Sequence, residues 1–226
     1  MNTLQYKDST IIALGHAGFL VEFPEINLRF SFDPFDVADF GIQVDLIFIS
    51  HPHFDHCDVS SIRKLLKSTG KIIAPVCCQK ELADFAGQVE YVSDRDKHEI
   101  SGLTYWTIPA YNTNKYRTPT EVFHPKESGY VGYVVEVGKT RFYHAGDTDN
   151  IPEMEKIKKI NVAFLPISGT YVMTLQEAIE AAQLIDPELA IPMHFGKLLG
   201  SSADAVRFQN LLQGKIKVAV LTAEAD

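Results

Sequence analysis

The sequence predicts a layered α/β fold with mixed β-sheets, and three features predict it. Short apolar runs of strand length recur along all 226 residues, amphipathic helical segments interrupt them at intervals, and no linker or low-complexity stretch divides the chain. The whole chain, residues 1–226, therefore reads as one domain, and 46% apolar with 22% charged residues suits an ordinary globular core.

The elements follow in order. TIIALG (10–15) and GFLVEF (18–23) read as strands, and LRFSFDPF (28–35) continues them through a turn at Pro24–Asn27. DLIFIS (45–50) is continuously apolar, the pattern of a strand covered on both faces. From Asp58 to Lys67, Val59, Ile62, Leu65 and Leu66 recur at helical spacing, with Asp58 placed to cap the start and Gly70 to close the end. KIIAPV (71–76) is another buried strand, followed by a short helix near Gln79–Phe85 and a strand at VEYV (89–92). The second half repeats this order without repeating the sequence. LTYWTIPAY (103–111) alternates as a strand does, a polar loop spans 112–128, and GYVGYVVEV with TRFYHAG (140–146) flank a hairpin turn at Gly138–Lys139. VAFLPIS (162–168), a helix over Thr174–Ile185, LAIPMHF (189–195), a helix over Ala203–Leu212 and KVAVL (217–221) complete the chain.

Charge and cysteine usage narrow the function. A net charge of -8 argues against a phosphate-backbone partner, so no nucleic acid is expected. No apolar run reaches the roughly 18 residues of a membrane span, and MNTLQYKDST lacks a signal-peptide core. Cys57, Cys77 and Cys78 form neither a CxxC pair nor an even disulfide framework, which suits a reducing, cytoplasmic compartment.

The segment SHPHFDH (50–56) carries the chemistry. With 8 histidines in the chain, a chance H-x-H-x-D-H is expected in roughly one such sequence per thousand. Imidazole and carboxylate suit zinc, iron or manganese. His51 and His53, two apart in extended chain, point the same way, while Asp55 and His56 stand where the loop turns into a helix and can reach a second ion. Without metal or carboxylate, so many clustered imidazoles would repel one another when charged.

SHPHFDH resembles the signature of the metallo-β-lactamase superfamily. That resemblance implies a four-layered αββα sandwich, two mixed sheets flanked by helices, with one or two metals at the edge between the sheets. YHAGDTD (143–149) is similar to the family's Gly-Asp loop, which makes Asp147 a carboxylate bridging two metals, and IPMHF (191–195) is similar to the strand that supplies the last histidine, His194. One ligand departs from the pattern: where a histidine usually follows the middle strand, IPAYNTNK places Asn112. Either Asn112 contributes a carbonyl oxygen, or His124 swings in from the polar loop, His124 otherwise being an ordinary loop histidine. LGHAGFLVEF, YHAGDT and PISGTYVMTLQEA resemble the small ascorbate-phosphate lactonase and N-acyl-ethanolamine phospholipase-D-like subgroup.

The resemblance implies a hydrolase that holds a divalent metal pair, zinc first, with manganese or iron as alternatives. A hydroxide formed on the metals would attack an ester, lactone or phosphoester of a small anionic substrate. Asp55 is the expected catalytic residue, and His51, His53, Asp55, His56, Asp147 and His194 are the expected metal ligands. His16, Asn112, Lys115 and His124 are expected to contact substrate, because the 112–128 loop carries Lys115, Arg117 and Lys126 in an otherwise acidic chain. His144 is expected to brace the Asp147 loop, and Ser168 lacks the Gly-x-Ser-x-Gly elbow of a serine hydrolase. Two rival classes remain: a non-catalytic metal-binding or sensor protein, favoured by the gap at Asn112, and a nuclease, disfavoured by charge. A glyoxalase-type thiolesterase would need a helical substrate-binding tail, and the chain stops soon after KVAVL.

Overall fold

The computed structural model describes residues 2–39, 41–93, 97–196 and 198–223. The chain divides into two compact units, Met1–Val92 with Leu221–Asp226, and Ser93–Val220.

The first unit is one mixed sheet of seven strands in sequential order. These are β1 (Thr3–Tyr6), β2 (Ser9–Gly15), β3 (Gly18–Phe23), β4 (Leu28–Phe32), β5 (Val44–Phe48), β6 (Leu66–Pro75) and β7 (Val89–Val92). Strands β1 to β4 pair antiparallel and β4 to β7 pair parallel. The helix α1 (Val59–Leu65) joins β5 to β6, and Asp58 caps it by accepting from the Ser60 amide. Its Ile62 and Leu65 pack against Ile12, Leu14, Leu20, Ile47 and Ile49, which buries one face of the sheet. Leu46, Ile47 and Phe48 are wholly buried, as the continuous apolar run required.

Two sequence expectations need correction here. Helix α1 passes directly into β6 at Leu66, so Gly70 lies inside the strand and does not close the helix. A Cβ at Gly70 would stand 3.0 Å from the Asp45 carbonyl oxygen, and close approach of backbone explains the glycine. Between Gln79 and Phe85 the chain forms a turn ending in a short 3-10 segment, Ala83–Phe85, in place of the expected helix.

The second unit repeats the pairing scheme. Its strands are β8 (Lys97–Ile100), β9 (Leu103–Pro109), β10 (Val131–Val137), β11 (Thr140–His144), β12 (Val162–Pro166), β13 (Leu189–Met193) and β14 (Lys217–Val218), again in sequential order. The first four pair antiparallel and the rest parallel. Helix α2 (Leu175–Ile185) buries Ala178, Ala182 and Ile185 and packs against β12 and against α3 (Ser202–Leu212). Thr174 caps α2 through a reciprocal box with Glu177. Both β1 and β8 are edge strands with polar, exposed residues, so their alternation was too weak to read from sequence.

Two seven-stranded mixed sheets with a few flanking helices are the parts of the αββα class that the motifs implied. Among the described residues, no helix is long and apolar enough to cross a membrane.

Candidate metal centre

The donors of the first unit stand after the parallel strand β5. The turn that follows is closed by the His53 carbonyl, which accepts from the amides of His56 and Cys57 at 3.0 and 2.8 Å. His51 and His56 are wholly buried, whereas His53 is exposed. His51 Nε2 and His53 Nδ1 converge to 2.9 Å, so these two donors do share a direction.

A residue that the sequence reading missed organises this cluster. Asp33, at the end of β4, is wholly buried and accepts from His56 Nδ1 at 2.8 Å, from Ser50 Oγ at 2.5 Å and from the Ser50 amide at 2.7 Å. A carboxylate only accepts, so His56 donates its Nδ1 proton. Ser50 spends its own proton on Asp33, and His51 Nδ1, 2.9 Å from Ser50 Oγ, is therefore the donor of that second bond. One acid thus fixes the tautomer of both buried imidazoles, leaving Nε2 of each as the nitrogen without the proton and so able to bind a metal. The available signal was an aspartate directly after an apolar strand, beside the strand that carries the motif.

Asp55 is joined to His16, whose Nε2 lies 3.0 Å from Asp55 Oδ2, and His56 Nε2 is 3.7 Å from the same oxygen. His16 is therefore a partner of Asp55 in the first unit. His16 and Asp33 both adopt positive φ, 52° and 36°, a backbone conformation that costs free energy and is held by these contacts.

In the second unit Asp147, His194 and His124 converge. His194 Nε2 is 3.3 Å and His124 Nε2 3.4 Å from Asp147 Oδ2, and all three side chains are nearly or fully buried. His194, at φ 58°, follows β13 and meets Ser168 Oγ through Nδ1 at 2.9 Å. His124 gives its backbone N–H and its Nδ1 proton to Asn112 Oδ1, both at 2.9 Å. Asn112 in turn donates through Nδ2 to Asp149 Oδ1 at 3.1 Å and to the Tyr171 carbonyl at 2.9 Å. Every polar atom of the Asn112 amide is thus engaged in orienting His124 and the loop.

The Asp147 turn has its own supports. His144 Nδ1 accepts from the Gly146 amide at 3.3 Å. Gly132, on the neighbouring β10, lies so close that a Cβ there would be 2.7 Å from the carbonyl oxygens of His144 and Ala145. Tyr143 is wholly buried, and burial pushes its phenol well above the usual range, with the Glu153 carboxylate adding to the effect.

The loop cations are largely neutralised within the second unit. Lys115 is buried and pairs with Asp149 at 3.1 Å and Glu177 at 2.7 Å. Burial pushes the Glu177 carboxyl up, but hydrogen bonds from Asn114, Lys115 and Thr174 outweigh it and bring the pKa to about 2. Lys126 pairs with Glu153 at 2.8 Å, and Arg117 remains exposed.

Residues 10–194, which include every expected metal donor, match the family described as Beta-lactamase superfamily domain. The chain belongs to the beta-lactamase superfamily. Superfamily members described as UPF0173 metal-dependent hydrolases in Pyrococcus abyssi and Thermofilum pendens are each 32% identical to it, over 92% of this chain and 94% and 93% of their own. A candidate metal-dependent hydrolase from Parabacteroides distasonis is 30% identical, with a TM-score of 0.84 over 99% of this chain and 98% of its own. Igni18, a metallo hydrolase from Ignicoccus hospitalis, is 22% identical and shares the fold, with a TM-score of 0.76 over 96% of each chain. The metallo-β-lactamase-like fold implied by the motifs is the fold of this superfamily member.

Proposed function

We propose that this protein, a metal-dependent hydrolase of the beta-lactamase superfamily, cleaves an ester, lactone or phosphoester bond in a small substrate with two bound zinc ions. The observation that carries the reading is the treatment of the imidazoles. Nδ1 of His51, His56, His124 and His194 is held by Ser50, Asp33, Asn112 and Ser168 respectively, each at 2.8–2.9 Å. Such orienting bonds are what metal-ligating histidines require, and they fit borderline nitrogen and carboxylate donors suited to zinc.

Our assignment makes His51, His53, Asp55 and His56 the metal donors of the first unit, and His124, Asp147 and His194 those of the second. His124 takes the place left by the missing histidine, with Asn112 behind it. This removes the main support for a non-catalytic sensor, which was the gap itself. Bound zinc would supply Lewis acidity, lowering the pKa of a water towards neutrality and stabilising charge that develops on the substrate. Asp55 orients the attacking water and carries its proton to the leaving oxygen, and His16 holds Asp55 in place through Oδ2. The free thiols of Cys57, Cys77 and Cys78 fit the cytoplasmic location that we propose with it.

Elemental analysis of protein purified without chelators, together with turnover of generic ester and phosphodiester substrates, tests this reading. We expect two zinc ions per chain and turnover that a chelator removes and zinc restores. Folded protein that binds zinc yet turns over neither substrate class would overturn it.

A further inference from the structure

The three cysteines of the first unit lie together, graded from surface to core. Cys57 directly follows the metal-donor motif, is buried, and gives its amide to the His53 carbonyl at 2.8 Å. Cys77 and Cys78 end a short 3-10 turn, Val76–Cys78, that follows β6. Strands β5 and β6 pair in parallel, so the segments leaving their C-terminal ends emerge side by side. Cys78 is wholly buried, and Cys77 is half-buried next to the exposed Val76. Cys57 and Cys78 belong to one apolar cluster with Ile49, Ile62, Leu82 and Phe85, and Cys77 packs against it. The Cys78 thiol hydrogen-bonds to those of Cys57 and Cys77 and so connects the other two. Packing alone would make these residues small apolar fillers. Their chemistry is graded as well. The hydrogen bond from Cys78 lowers the Cys77 thiol below its ordinary pKa, against burial and the Glu81 carboxylate, whereas the bonds to Cys57 and Cys77, with burial, push the Cys78 thiol up. The thiolate is the nucleophile, so the thiol that solvent reaches is also the one that ionises most readily.

We propose that Cys77 is an oxidation site for hydrogen peroxide, and that Cys78 and Cys57 resolve the oxidised sulfur into a buried Cys57–Cys78 disulfide. The proposal stands apart from the hydrolase reading. The Cys77 sulfur attacks one peroxide oxygen: an S–O bond forms, the O–O bond breaks, and the Cys77 proton leaves with the other oxygen as water. Cys78 attacks the Cys77 sulfenic acid, forming an S–S bond, and its proton leaves with the hydroxyl as a second water. Cys57 then attacks the Cys78 sulfur, and Cys77 departs as a thiol with the Cys57 proton. Two thiols are oxidised to one disulfide while one peroxide is reduced to two waters. The finished bond joins the turn that bears His53, Asp55 and His56 to the segment after β6. Disulfides of this reversible, sensing kind are the ones a reducing compartment admits.

The test treats zinc-loaded full-length protein with increasing hydrogen peroxide. Free thiols are counted in denaturant, and linked peptides are mapped by mass spectrometry before and after dithiothreitol. We expect the free thiols to fall from three to one per chain, a Cys57–Cys78 link, and full recovery with dithiothreitol. Dimedone, which traps sulfenic acids, should label Cys77 and neither other cysteine when added with the peroxide. In Cys78→Ser the labelled Cys77 should persist without a disulfide, and in Cys77→Ser thiol loss should slow about tenfold or more. Labelling and mapping of the wild type need no variant, so a variant that misfolds leaves the test intact. Sulfenic acid at Cys57 or Cys78 in place of Cys77, a link between two chains instead of Cys57–Cys78, or three thiols that survive excess peroxide would overturn the proposal.

Discussion

Replacing Asn112 by alanine separates a ligand from a residue that orients one. The side chain is buried at 5% exposure and makes four hydrogen bonds: two accepted from His124 and one donated to each of Asp149 and Tyr171. A net hydrogen bond is worth about 1 kcal/mol, which sets an upper figure near 4 kcal/mol for the four. His124 Nδ1 keeps the Tyr171 carbonyl at 3.2 Å, and Asp149 keeps the amides of Thr113 and Asn114. The expected loss of stability in urea unfolding of the metal-free protein is therefore about 2–4 kcal/mol. Zinc affinity, measured by competition with a chromophoric chelator, should fall by about 10–100-fold, the usual effect of removing the partner of a ligating histidine. The double variant decides the reasoning. If Asn112 acts through His124, Asn112→Ala adds little further loss of affinity to His124→Ala, because residues in one chain of contacts are not additive. Additive losses would mean that Asn112 meets the metal itself, and the orienting role would be refuted.

Asp55→Ala should abolish turnover because it removes the base, and His16→Ala should lower it by about ten- to a hundredfold because it loses the 3.0 Å contact that positions the base. Near-normal rates in folded, metal-loaded Asp55→Ala protein would sink this role. Gly132→Ala should lower the melting temperature by several degrees, because its Cβ would lie 2.7 Å from two carbonyl oxygens beside the Asp147 turn; an unchanged melting curve would contradict the close packing. Glu177 has a depressed pKa of about 2 against an ordinary 4.5, so its stabilisation is present above about pH 4.5 and is lost as pH falls towards 2. With its side chain 21% exposed, we expect Glu177→Gln to cost on the order of 2 kcal/mol at neutral pH in metal-free protein, shrinking below pH 4.5. A difference that stays constant with pH would contradict the ion pair with Lys115.

What could be read directly from the sequence was local. DLIFIS and VAFLPIS announce buried strands because burial on both faces demands continuous apolar residues, and SHPHFDH announces metal chemistry because its donors are neighbours in the chain. Thr174 and Glu177 stand three apart, so the capping box was also within reach as a helix start. The limits follow from the same physics. Gly70 looked like a helix end because its role depends on how near Asp45 passes, which no local pattern records. That Lys115 of the positive loop pairs with Asp149 and Glu177 was hidden as well, because both partners lie far along the chain. Tertiary structure alone decided what holds the imidazoles of His56 and His124: Asp33 reaches His56 across 23 residues, and Asn112 reaches His124 across 12. Donor identity is a property of single residues, but a donor's orientation is set by hydrogen bonds between distant segments, and those exist only once strand register has brought the segments together.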